Sequence, residues 1–204
     1  MKISILIPSL VSRKENLKNL LSILLPQIGD YDLEMIDNDN YLIRRYFNSE
    51  VEIIVYIDNK QVTTGEKRNR LVNSAKGEYI IFIDDDDEVP TYYIKELLKA
   101  YESNADCFAI NGKMTTDGAK EIKWRLSKDY ENVTIKENVV DVYLRKTNHI
   151  TAVKRELALL APFPNKSNAE DKSYSDAINK FLKSEFVISL PMYWYKFSTK
   201  NKEY

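Results

Sequence analysis

The stretch 77–90, Gly-Glu-Tyr-Ile-Ile-Phe-Ile-Asp-Asp-Asp-Asp-Glu-Val-Pro, constrains this chain more than any other. An apolar run from Tyr79 to Ile83 stops at four consecutive carboxylates, Asp84, Asp85, Asp86 and Asp87. Bounded by Gly and Pro, such a run reads as a strand buried on both faces. In open α/β sheets, ligands gather beyond the carboxyl ends of such strands. Four acids there repel one another, and desolvating them is costly without a cation. The simplest cation is a divalent metal held through oxygen, with a phosphate-bearing substrate completing its shell. A solvated acidic turn is the ordinary reading of a charge run. Here the buried strand aims the acids at the usual site position, which favours the functional reading.

The rest of the chain supplies company for that strand. Residues 2–7 and 51–57 read as two more apolar strands, the first ending at Pro8-Ser9 and the second at Asp58. Capping-box spacing occurs at Ser12-Arg13-Lys14-Glu15, Thr63-Thr64-Gly65-Glu66 and Ser167-Asn168-Ala169-Glu170. Each box is expected to open a helix. The first helix carries Leu17, Leu20, Leu21, Leu24, Leu25 and Ile28, with Pro26 expected to kink or end it and Gly29 to stop it. The second is expected to run to about Lys76, with Gly77 as its C-terminal glycine, and the third to carry Tyr174, Ala177, Ile178, Phe181 and Leu182. Strand, helix, strand, helix, strand with short links implies a parallel sheet by the right-handed crossover rule. Asp58 and Asp84 then share one edge of it.

Residues 30–50 read as an insertion of turns with a short helix over 41–47. Further on, the chain suggests a helix after Pro90-Thr91, a strand at 107–110, and a hairpin turned by Asp117-Gly118. A brief helix over 153–160 and strands at 186–190 and 193–197 follow. No repeat or low-complexity linker breaks the chain. One domain, 1–204, is expected, with halves 1–90 and 91–204.

At 204 residues and 44% apolar, the chain suits a globular domain with one substantial core. Its 30 Lys and Arg nearly balance 31 Asp and Glu, so no global field attracts nucleic acid or an anionic membrane. The single cysteine, Cys107, forms no internal disulfide and reads as a small core residue. No signal-peptide pattern and no apolar stretch of membrane-spanning length is present in the sequence. A cytoplasmic location is expected.

Ile5-Leu6-Ile7-Pro8-Ser9, residues 54–58, Arg68-Asn69, Gly77-Glu78-Tyr79 and Asp84 to Asp87 resemble, in that order, the family 2 glycosyltransferases. Glu170-Asp171 before a helix and the closing Pro191-Met192-Tyr193-Trp194-Tyr195 extend the resemblance. It spans almost the whole chain except 30–50 and roughly 115–145. No single piece is specific; the ordered set is. The resemblance implies a GT-A fold, a mostly parallel Rossmann-like α/β sheet flanked by helices. In it a nucleotide-binding half (1–90) precedes a mixed β half (91–204) that binds the acceptor. It also implies an inverting transfer of a sugar, with a UDP-sugar as the expected donor and a glycan or other hydroxyl as acceptor.

Carried over residue by residue, the resemblance gives the following roles. Pro8 and Ser9 line the nucleotide pocket, and Asp58 holds the base or ribose. Arg68 meets phosphate, with an exposed helical cation as the equal alternative, while Lys67 and Asn69 are optional pocket residues. Asp84 and Asp86 match the Asp-x-Asp pattern for ribose and a Mn2+ or Mg2+ ion. Four acids in a row leave the register open to Asp85 or Asp87. Asp171 matches the catalytic base, and Glu170 belongs to the capping box. Asn148-His149 makes His149 a metal or acceptor contact, with a core or surface histidine as the alternative. Trp124, Tyr193, Trp194 and Tyr195 either stack on an acceptor sugar or fill the core.

Two other readings compete. A sugar nucleotidyltransferase wants a Gly-rich signature after the first strand, and residues 8–13 contain no glycine. A catalytically silent nucleotide-sugar-binding module has no need of Asp84, Asp86 and Asp171 together.

Overall fold

The structure, a computed structural model, describes residues 1–119, 121–138, 140–197 and 199. Strands β1 (Ile3–Leu10), β4 (Val51–Asp58) and β5 (Tyr79–Phe82) form the parallel centre, in the order β4-β1-β5. Leu10 lies opposite Asp58, and Leu6 opposite Phe82, so all three strands deliver their carboxyl ends to one edge. Side chains alternate strictly, as period-2 geometry demands. Ile5, Ile53 and Ile81 face one apolar layer, whereas Leu6, Ile54 and Phe82 face the other. Helices α1 (Lys14–Ile28) and α3 (Tyr93–Tyr101) cover the first face. The second is covered by α2 (Thr64–Ser74), α4 (Arg155–Leu159) and α5 (Glu170–Ile178). Both faces of the central strands are therefore dry, which explains their near-continuous apolar sequence.

Antiparallel strands extend the sheet on both sides. A hairpin of β2 (Asp32–Asp37) and β3 (Tyr41–Phe47) adds to β4. On the other side come β10 (Ala152–Lys154), β6 (Cys107–Thr116) and β7 (Ile122–Leu126), followed by β9 (Val140–Arg145) and β8 (Val133–Glu137). The last strand, β11 (Glu185–Phe197), runs parallel along β6 with two register shifts around Pro191. Cys107 is buried within β6. The fold is α/β as expected and the sheet is mixed: among the described residues, parallel pairing is confined to β4-β1-β5, β7–β9 and β6–β11, and the other pairs are antiparallel. No helix among the described residues is long and apolar enough to cross a membrane.

Several local expectations give way to tertiary contacts. Residues 41–47 are a strand, not a helix. Each pairs with β4, Tyr41 stacks on Tyr56, and the Asn38 carboxamide accepts two backbone N–H groups at the turn. The hairpin extends the sheet rather than interrupting it. Helix α1 continues past Pro26 and stops at Gly29, whose φ of 67° suits glycine. Helix α2 ends at Ser74, and Gly77 does not cap it. Gly77 instead lies so close to β1 that an added Cβ would sit 2.6 Å from the Ser4 nitrogen. Residues 152–154 pair with β5 and β6, so the helix expected over 153–160 begins only at Arg155. The Asp117-Gly118 hairpin forms, both residues having positive φ.

Of the three capping boxes, the one at Thr63 forms on its serine/threonine side: its hydroxyl accepts the Glu66 N–H at 3.1 Å. At 12–15 a short 3-10 turn, Val11–Arg13, precedes α1, and no side chain caps the helix. At 167–170 the Ser167 hydroxyl accepts from the Thr64 N–H, and the residue before α5, Ala169, has φ 55°.

The hairpin is anchored by a buried ion pair. Arg45 on β3 lies 3.1 Å from the carboxylate of Glu52 on β4, whose side chain is fully buried. The Ser4 hydroxyl and the Lys76 N–H donate to the same carboxylate, and Arg45 also reaches the Ser74 carbonyl that α2 leaves unpaired at its end. Removing one partner of a buried pair leaves a charge without compensation. Arg45→Met is therefore expected to cost about 3 kcal/mol, the lower end for such a break because Ser4 and Lys76 remain. Urea denaturation measures it. Glu34→Ala, which breaks Arg45's exposed contact to Glu34, should leave the midpoint unchanged.

Candidate active site

A cleft of about 1530 Å³ opens at the carboxyl edge of the central strands. That exceeds the roughly 300–1,000 Å³ of a single small-molecule pocket and leaves room for two substrates. Its floor is the acid run, which the backbone closes into a turn, the Asp87 N–H donating to the Asp84 carbonyl at 3.1 Å. Within the turn the carboxylates alternate. Asp84 and Asp86 present side chains 26% and 42% exposed, whereas that of Asp85 is fully buried and Asp87 is buried too. The two more exposed carboxylates are thus Asp84 and Asp86, and the inner two are held by other side chains.

Asp85 accepts from the Ser9 hydroxyl and from Arg13 at 3.0 Å. Burial still pushes its carboxyl up to about 6, against the pull of Ser9 and Arg13. Asp87 accepts from the Tyr193 hydroxyl at 2.7 Å and the Lys196 N–H at 2.9 Å. Burial and then the neighbouring Asp84 charge hold it well above the usual carboxylate range. For Asp86, burial and the Asp84 charge act in the same upward direction. Asp84 is the exception. Burial acts to raise it, but Arg68 and His149 outweigh that and keep it well below the ordinary value.

Arg68 joins the two sides of the cleft. Its guanidinium donates to Asp84 at 2.9 Å and to Glu170 at 3.1 Å, and it packs against the rings of both Phe82 and Phe163. It is buried, not an exposed helical cation. Glu170 is therefore an ion-pair partner and not half of a capping box, because a buried guanidinium outcompetes a backbone N–H for its carboxylate. Asp171, the next residue, lines the cleft from the first turn of α5. His149 places its Nε2 3.3 Å from the Asp84 carboxylate.

Pro8, Ser9, Arg68, Asp84, Asp85, Asp86, His149 and Asp171 all line this one cleft. Lys67 lines it as well, but Asn69 is tied by two hydrogen bonds to the backbone of Phe163. Asp58 lies beneath the wall: its carboxylate is fully buried, paired with Lys67 and accepting from the Val62 N–H. The Lys67 ammonium also donates to the Ser9 carbonyl at 2.7 Å, and burial lowers its pKa despite the Asp58 charge. Of the four aromatic candidates, Trp124 and Tyr195 reach the cleft. Tyr193 is fully buried, and Trp194 faces a separate small pocket beside Lys113.

Arg13 was not singled out by the sequence. It sits 3.0 Å from Asp85 and 3.4 Å from Asp86, on the cleft wall. A basic residue shortly after the first strand's Pro8-Ser9 was the available signal, masked by the capping-box reading of 12–15.

Among the described residues, no three acid, histidine or cysteine side chains converge to hold a metal ion by themselves. Two cleft-facing carboxylates, Asp84 and Asp86, do fit a hard divalent cation whose remaining ligands are phosphate oxygens and water. The charge of Asp84 penalises ionisation of Asp86, a penalty that a bound cation would relieve.

The likeness to known proteins follows the same geometry. TarS 1–349 of S. aureus superposes with a TM-score of 0.64 at 15% identity, covering 96% of this chain and 60% of that one. The same protein in complex with UDP gives a TM-score of 0.66 at 14% identity, over 97% of this chain and 61% of the other. Its complex with UDP-GlcNAc gives 0.61 at 13%, over 96% and 58%. The chain thus spans about 60% of the length of those structures, and at such identities the likeness establishes the shared fold. No curated protein matches the chain in sequence. Residues 4–158 match the model of Glycosyl transferase family 2. With that match running over more than half of its length, through the first strand and the acid turn, the chain belongs to glycosyl transferase family 2.

Proposed function

We propose that this protein transfers a sugar from a nucleoside-diphosphate sugar, a UDP-sugar, to an acceptor hydroxyl with inversion at the anomeric carbon. The observation that carries the reading is that Asp84 and Asp86 face the same cleft as Asp171, with Arg68 spanning from the acid turn to α5. Asp84 and Asp86 would hold a Mn2+ or Mg2+ ion, which when bound neutralises the departing diphosphate. His149 stands beside Asp84 as a further candidate ligand. Pro8 and Ser9 form the wall against which the nucleoside lies. Asp58 supports that wall from below, through Lys67 and its bond to the Ser9 carbonyl.

In the transfer step the acceptor oxygen forms a bond to the anomeric carbon as the carbon–oxygen bond to the diphosphate breaks. The acceptor proton passes to the Asp171 carboxylate, and the nucleoside diphosphate leaves. Inversion requires that the base and the leaving group lie on opposite sides of the sugar. Asp171 on α5 and the acid turn after β5 come from different elements of the cleft. Glu170 is engaged by Arg68, which leaves Asp171 as the base. Trp124 and Tyr195 offer aromatic faces in the same cleft for the acceptor.

The reading is tested first by a thermal-shift screen of nucleotide sugars with and without manganese, because a ligand selective for the folded state raises the melting temperature. Asp86 is exposed, so Asp86→Ala should fold normally and lose the manganese-dependent part of the stabilisation by UDP. Full manganese dependence in that variant would remove Asp86 from the ligand set.

The base is assigned by rate. Asp171→Asn should keep UDP binding and lose transfer by roughly 10²–10⁴-fold, the usual effect of removing a general base. Glu170→Gln weakens a buried charged contact and should lower stability by about 1–3 kcal/mol, with a smaller loss of transfer than Asp171→Asn. The reverse order of activities in a single donor–acceptor assay would overturn the assignment.

A further inference from the structure

A turn of four acids has little reason of its own to keep two side chains out and two in. Its internal backbone bond runs from the Asp87 N–H to the Asp84 carbonyl, and the charges push the carboxylates apart. Arg68 and His149 hold Asp84 directly and Arg13 lies 3.4 Å from Asp86, and the facing of both acids depends further on what grips Asp85 and Asp87. One grip comes from the β1 side, where Ser9 and Arg13 hold Asp85. The other comes from β11, in the opposite half of the chain.

Tyr193 of β11 is fully buried and does not line the cleft. Its single phenol oxygen touches both ends of the turn. It donates to the Asp87 carboxylate at 2.7 Å and accepts the Asp84 N–H at 3.2 Å. Just after it, β11 binds the same segment. Trp194 and Glu88 exchange two backbone hydrogen bonds, 2.8 and 3.1 Å, and the Lys196 N–H donates to Asp87. The Tyr193 backbone is fixed in turn by β6, so tightly that a Cβ on Gly112 would stand 2.1 Å from the Tyr193 carbonyl oxygen. A rigid strand thus holds a rigid ring whose oxygen is shared between the first and last acids of the turn.

We infer that Tyr193, acting through Asp87 and the Asp84 backbone, is a positioning residue that aims the Asp84 and Asp86 carboxylates at the cation of the bound nucleoside diphosphate. The inference rests on the proposed donor site and adds a consequence to it. Donor binding by residues 1–90 depends on a strand of the acceptor-side half, and that strand carries Tyr195 and Lys196 into the cleft.

The test compares Tyr193→Phe with Tyr79→Phe. Tyr79 is an equally buried phenol that donates to the Ala105 carbonyl, away from the turn. Tyr79→Phe loses one buried hydrogen bond and Tyr193→Phe two, but Tyr193→Phe alone releases the acids. UDP affinity is measured by calorimetry with and without manganese. In Tyr193→Phe the manganese-dependent gain should fall by about tenfold, the order of one hydrogen bond to a charged group, with metal-free UDP affinity within about twofold of wild type. Tyr79→Phe should keep the full gain. Retention of the gain in Tyr193→Phe, or an equal loss in both variants, overturns the inference.

Should Tyr193→Phe fail to fold, Asp87→Leu, which removes the acceptor of the Tyr193 hydroxyl, takes its place with the same expectations. A wild-type protein whose UDP affinity ignores manganese refutes the metal assignment instead. Amide hydrogen exchange then decides the positioning role. The Asp84 amide should exchange faster in Tyr193→Phe than in Tyr79→Phe, and equal rates overturn it.

Discussion

Four carboxylates in sequence cannot all face one cleft, and most of the site is arranged around that constraint. Two carboxylates about 5 Å apart repel by roughly 3 kcal/mol at an effective dielectric near 20. A hydrogen bond to a charged group contributes about 1.5–3 kcal/mol. One donor barely balances one neighbour, so each inward acid needs two. Asp85 has Ser9 and Arg13, and Asp87 has Tyr193 and the Lys196 N–H. With the inner pair satisfied, Asp84 and Asp86 are left as the pair on the cleft side. A polar network of this kind specifies a single arrangement, because any half-satisfied alternative strands a charge.

Arg68 extends the same logic across the cleft. Packed against Phe82 and Phe163, its planar guanidinium reaches two acids at once. It ties Asp84, at the end of β5, to Glu170, at the start of α5, and Asp171 follows directly. The distance between the acid turn and the proposed base is thereby set by a buried ion pair, although the two lie far apart in sequence.

How much of this the sequence discloses depends on the range of the interactions concerned. The strand at 79–82 and its acids are legible because a dry strand ending in charge is a local pattern, and so is the Asp117-Gly118 turn. Residues 41–47 are illegible because their strand character comes from pairing with β4, which no short window contains. Glu170 carries the local signature of a cap but is claimed by Arg68 from another helix, and the Ser167 hydroxyl is claimed by the Thr64 N–H. Asp58 ends its strand where expected, yet Lys67 covers it. In each case a long-range partner decides between roles that the local sequence leaves equal. The set of cleft residues was nonetheless largely visible, since strand ends and helix starts converge at one edge of a parallel sheet.

Helix α2 works as a gauge. Three successive residues address three separate parts of the molecule: Lys67 the ends of β1 and β4, Arg68 the acid turn and α5, Asn69 the backbone of Phe163. Exchanges on its outward face leave that alignment untouched. One residue inserted between Thr64 and Lys67 would rotate all three by about 100° at once. The helix tolerates changes of composition on its outward face but none of phase between Thr64 and Asn69.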